Sequence, residues 1–313
     1  LDEGKLNPVD RMGLLADSFE ATKAGYQPVS EYLDLLAHFK HEDTLPVWEI
    51  IAASIGAIRA TLSEDDESNE LREAMKPFAL ELIQTQLERL GWDEIDSEPH
   101  LDTLLRPIII SIAAASDDEK ILEKIRESYA LRIEKGEGSL NPNLRGTIYS
   151  TIARKGGEAE FEAFLKMYKE TDSSDEKLSL SAAMTSFEQP TLHDRVFELI
   201  KSDVIRTQDN GYWIAYSFMN RHARKAAWQW MKDNWGWMQE TMGTDMSFSR
   251  MPVYAGRTMT DPKMIEEYVE FFTPLIDPTI ERTYHQGLEV AQTNAAWRER
   301  DAQAALSWLK PAR

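Results

Sequence analysis

Cysteine does not occur in the 313 residues, and glycine (15) and proline (13) are sparse. The first absence removes disulfide frameworks, thiol nucleophiles and thiolate metal sites together, and permits a reducing compartment. The second, beside 42 % apolar residues, excludes collagen-like, low-complexity and largely disordered chains. Positive charge is scarce: 35 Lys and Arg against 54 Asp and Glu leave a net charge of −19. Such a chain repels a phosphate backbone instead of releasing its counterions, which argues against general nucleic-acid binding and against docking on anionic membranes. Long apolar runs are missing too. Pro107-Ile108-Ile109-Ile110 stops at Ser111, far short of the roughly 20 residues that cross a bilayer. No positively charged segment followed by an apolar core opens the chain, and its first residue is Leu1 instead of methionine, as expected of an excised piece.

What is present is helical patterning. The length suits two ordinary domains or one elongated repeat array. The only hairpin-like dipeptide of note, Asn210-Gly211, runs into Tyr212-Trp213-Ile214-Ala215-Tyr216 at helical spacing. Helix starts are expected at Asn7-Pro8, Asn141-Pro142, Asp261-Pro262 and Asp277-Pro278, where a capping side chain precedes a proline whose fixed φ suits the first turn. Two Ser-x-x-Glu capping boxes, Ser116 to Glu119 and Ser173 to Glu176, add further starts. Gly25, Gly91, Gly136 and Gly156 mark expected left-handed stops. About fifteen helices follow, among them 9–24, 29–40, 46–62, 69–90, 100–115 and 117–134, with a kink or break at Pro77 and Pro107. Helix pairs recur every roughly 30–45 residues without a repeated signature, the pattern of irregular HEAT or armadillo arrays. The expected fold is therefore all-α: an α-solenoid of antiparallel helix pairs forming a concave superhelix, one domain over 1–313 with sub-halves 1–156 and 157–313.

No catalytic constellation emerges. His-Glu-x-x-His, which sets two imidazoles one turn apart beside a metal-bound water, is missing. His38-Phe39-Lys40-His41-Glu42 has the wrong spacing and reads as a helix end whose cations complement the dipole. Asp65-Asp66-Glu67 with Asn69-Glu70 is acidic enough for a hard cation, but it sits in a polar break after Leu62 and reads as solvated linker. No metal and no cofactor are assigned to this chain. Trp228-Gln229-Trp230 with Trp235 and Trp237 reads as packing between helices. Just upstream, Arg221-His222-Ala223-Arg224-Lys225 is a basic island on which a carboxylate can be seated bidentately. Its rival reading is an exposed solvated turn.

At this point the residues resemble a family. Val9-Asp10-Arg11-Met12-Gly13-Leu14-Leu15-Ala16-Asp17-Ser18-Phe19, Ala24-Gly25, and His41-Glu42 before Pro46-Val47-Trp48 look like the start of the helical C-terminal domain of zinc aminopeptidases of the aminopeptidase N and endoplasmic reticulum aminopeptidase type. Asp175-Glu176-Lys177, Ile205 to Asp209, Ala227 to Trp230 with Asn234-Trp235, Phe271-Phe272, Leu288-Glu289 through Asn294, and Trp297 to Trp308-Leu309 follow in the same order. The resemblance implies that this chain walls a peptide chamber and handles the distal part of the peptide. Zinc and the bond-breaking groups would then belong to a catalytic domain of the same polypeptide. It also implies peptide-binding roles for Arg224, Arg221 and Arg282, although the glycine that often precedes the first arginine is Ala223 here. A cytoplasmic setting, and apolar surface left exposed at the N-terminal edge, are expected. The alternative, argued from fold alone, is a free-standing solenoid adaptor that binds a partner's helix or extended segment.

Overall fold

The computed structural model describes residues 6–63, 69–136 and 138–310, and these form helices without a strand. The all-α class is thus as expected. Seventeen α-helices and two single-turn 3-10 segments are found among the described residues. Chain contacts divide them into two units, Leu1–Glu127 with Ala296–Arg313, and Ser128–Ala295. The division falls within two helices, and the 156/157 boundary lies inside the second unit.

The first unit holds α1 (Pro8–Ala24), α2 (Val29–Ala37), α3 (Leu45–Thr61), α4 (Glu70–Leu90), α5 (His100–Ala115), the start of α6 (Glu119–Lys135) and the end of α17 (Glu281–Leu309). α1 packs on α2 and α3, α3 on α4 and α5, and α4 on α5. Asn7 caps α1 as expected, its side chain accepting from the Asp10 N–H at 3.0 Å. Gly25 ends the helix at φ +85°, and a Cβ there would meet the Arg300 guanidinium at 2.7 Å. Arg300 uses that space to donate to the carbonyl of Thr22 at 2.7 Å. Arg11 is bidentate on Glu42 at 2.6 and 2.9 Å, and Glu42 also accepts from the Thr44 N–H at 2.9 Å. The Trp48 indole donates to the Glu42 carbonyl at 2.8 Å. The ordered residues 41–48 are therefore one hydrogen-bonded corner. His38 closes α2 with its ring nitrogen 2.8 Å from the Asp34 carbonyl, the helix-end reading. Asp65, Asp66 and Glu67 lie outside the described residues; Asn69 precedes α4 at φ +56°.

The second unit holds the rest of α6, α7 (Arg145–Lys155), α8 (Glu158–Glu170), α9 (Ser174–Met184), α10 (Pro190–Ile200), α11 (Asn210–Met219), α12 (Arg224–Asp233), α13 (Trp235–Met242), α14 (Met246–Ser249), α15 (Met251–Gly256), α16 (Pro262–Phe272) and the start of α17. α7 packs on α8 and α9, α9 on α8 and α11, and α11 on α10, α12 and α15. In the first unit α1, α3 and α5 thus pack in succession, and in the second α7, α9 and α11 do, with α11 continuing to α15 and not to α13.

Several expected boundaries are corrected. Of the kink or break expected at Pro77 and Pro107, the break does not occur: α4 and α5 run through both prolines, because each costs one N–H and the burial on both sides holds the remaining turns. Asn141-Pro142 and Asp277-Pro278 open turns, not helices. Their side chains accept from Asn143 N–H (2.9 Å) and Thr279 N–H (2.8 Å), and α7 and α17 begin only at Arg145 and Glu281. Ser116 does not cap α6; Asp118 does, accepting from the Ile121 N–H at 3.0 Å. At the second box Ser173 accepts from the Glu176 N–H at 3.3 Å, but the Glu176 carboxylate turns inward to Tyr149 (2.7 Å) and Arg132 (3.0 Å) instead of returning to the cap. Gly156 is extended, with φ −96°. Its missing side chain answers crowding, since a Cβ would stand 2.8 Å from the Ile152 carbonyl oxygen. Gly91 and Gly136 do adopt positive φ.

Candidate functional site

The basic island spans the turn between α11 and α12. Asn220 closes α11 and pins that turn from both ends. Its side-chain amide donates to the carbonyls of Thr185 (2.9 Å) and Phe187 (2.6 Å), while its Oδ1 accepts from the His222 N–H at 3.0 Å. The Asn220 carbonyl accepts from the N–H groups of Ala223 and Arg224. Ala223 has φ −100° and is buried, so the local turn needs no glycine there.

The three arginines fall on separate elements. Arg221 is half-buried in the turn, Arg224 is the first residue of α12, and Arg282 is exposed in the first turn of α17. Arg221 and Arg224 therefore do not share a helix face, because Asn220 holds 221–223 as a turn. Arg224 is only 4 % exposed and donates from Nη1 to the Thr258 carbonyl at 3.2 Å, tying α12 to the segment after α15. The His222 ring sits 3.7 Å from the Glu188 carboxylate at the surface. Lys225 is exposed.

Beside this turn stands an aromatic core. Trp228 is buried, with its ring 6.1 Å from Tyr268 in a stacked arrangement and 5.5 Å from Phe271 edge-on. Trp235 packs on Phe248, Phe271 and Phe272, and Trp230 stacks on Phe197 at 5.6 Å. The tryptophans are packing, as read from their density. The Trp228 indole N–H (3.2 Å) and Lys232 Nζ (2.9 Å) converge on one oxygen of Glu267. The bond from Lys232, then that from Trp228, holds the Glu267 carboxyl below the ordinary carboxylate range. Reading the sequence missed Asn220 and Glu267. Asn220 carried a usable signal, a turn-forming side chain at the end of an apolar helical run. Glu267 carried none, since its partners lie 35 and 39 residues away.

Among the described residues no group of three or more His, Asp or Glu side chains is arranged to hold a metal ion. No helix in the described residues is long and apolar enough to cross a membrane.

The chain is similar in sequence to known proteins. Aminopeptidase 2 of Candida albicans is 27 % identical over 312 residues, 98 % of this chain and 33 % of that protein. Aminopeptidase M1 of Arabidopsis thaliana is 29 % identical over 299 residues, 94 % of this chain and 33 % of that protein. The alanine/arginine aminopeptidase of Saccharomyces cerevisiae is 24 % identical over 308 residues, 97 % of this chain and 36 % of that protein. The chain thus spans about a third of the length of the curated relatives it matches. The family model of the ERAP1-like C-terminal domain matches residues 1–293, nearly the whole of the chain, and the chain belongs to that family.

Proposed function

We propose that this chain is the C-terminal helical part of a zinc aminopeptidase. In this reading it encloses the peptide chamber and holds the distal part of the substrate, while a catalytic part of the same polypeptide carries the zinc and removes N-terminal residues. One observation carries the reading: the match to the ERAP1-like C-terminal domain over residues 1–293, beside similarity over nearly the whole chain to proteins named aminopeptidases. The all-helical class is compatible with it, since packed helices can offer a surface whose closure over a catalytic site excludes water and positions substrate. The exposed Val9, Leu14 and Tyr26, on and just after α1, supply apolar surface on which a preceding domain docks. The peptide's C-terminal carboxylate is received by the basic turn, with Arg221 and Arg282 meeting the ligand, while Arg224, buried and bonded to the Thr258 carbonyl, holds the start of α12 beside them. A cytosolic setting belongs to the proposal, since a chain without cysteine needs no oxidising compartment.

The test is made on the full-length gene product, with long peptides and aminoacyl-dipeptides as substrates. Chelator-sensitive release of N-terminal residues, with KM for long peptides raised by Arg282→Ala and dipeptide turnover unchanged, is the expected result. Absence of aminopeptidase activity overturns the assignment. Equal effects of Arg282→Ala on both substrate lengths, or none on either, overturn the carboxylate seat alone.

A further inference from the structure

We draw no further inference here: the strongest candidate, the surface patch of Tyr212, Tyr216 and Met219 along α11, carries nothing, because nothing in the structure shows what covers it.

Discussion

At Glu176 a carboxylate with 1 % of its side chain exposed is held by the Tyr149 hydroxyl and by Arg132, from helices α7 and α6. Burial pushes its pKa up, but the bonds from Tyr149 and Arg132 outweigh burial, and the net value lies below the ordinary carboxylate range. Glu42 behaves alike: burial raises its pKa, and Arg11 and Thr44 bring it below normal. A carboxyl whose folded pKa is depressed stabilises the fold fully above its unfolded value, about 4.3, and loses that contribution as pH falls through the lower folded value. Stability should therefore not decline between pH 7 and 5, and should fall below about pH 4.3. Glu176→Ala leaves Arg132 and the Tyr149 hydroxyl without their buried acceptor and should cost ~3–5 kcal/mol at neutral pH. Its urea midpoint should also decline less steeply in acid than that of the parent. A neutral-pH midpoint shift equivalent to less than about 1 kcal/mol would show that water replaces the carboxylate.

Helices in this molecule are placed by contacts that their own sequences do not announce. α15 and α17 cross where Gly256 and Gly287 meet, and a Cβ on Gly256 would overlap the Gly287 carbonyl. The Tyr268 hydroxyl donates across the same crossing, 3.2 Å from the Pro252 carbonyl and 3.1 Å from that of Tyr284. Gly13 in α1 has nothing within 4 Å of its would-be Cβ. Alanine should thus act with opposite signs. Gly13→Ala should stabilise by about 0.5–1 kcal/mol through helix propensity. Gly287→Ala should destabilise by ~1–3 kcal/mol or more through overpacking, and thermal melts of the two variants read both signs. Arg224 anchors the start of α12 on Thr258, so Arg224→Ala should lower stability by ~1.5–3 kcal/mol. An unchanged melting temperature would show that this buried cation is dispensable to packing.

Over the whole molecule the balance of charge is −19, and self-repulsion of that size opposes the compact state. Raising ionic strength from about 10 mM to 150 mM shortens the screening length from roughly 30 to 8 Å. The melting temperature should rise over this range, because the exposed excess acid is screened while pairs such as Arg132–Glu176 and Arg11–Glu42, largely withdrawn from water, are screened less. A melting temperature that falls with salt would mean that surface ion pairs such as Lys40–Glu81 and Arg89–Asp102 outweigh the repulsion.

Whatever depends on neighbours a few residues apart was legible in the sequence: the all-helical class, the caps at Asn7 and Asp261, the left-handed stop at Gly25, α5 to the residue, and the helical course of Asn210-Gly211. These follow from backbone geometry, hydrogen bonding within a turn and the 3.6-residue period, which the chain alone determines. The packing role of the tryptophans was legible from their density. What tertiary structure alone decided is the fate of side chains with more than one use. Glu176 had the spacing of a capping box and went instead to partners 27 and 44 residues away. Arg224 had the look of a surface cation and became an interior anchor on a carbonyl 34 residues on. Local spacing says which bonds are possible. Burial, which depends on helices brought together from distant parts of the chain, raises the cost of leaving a charge unpaired and so selects among them.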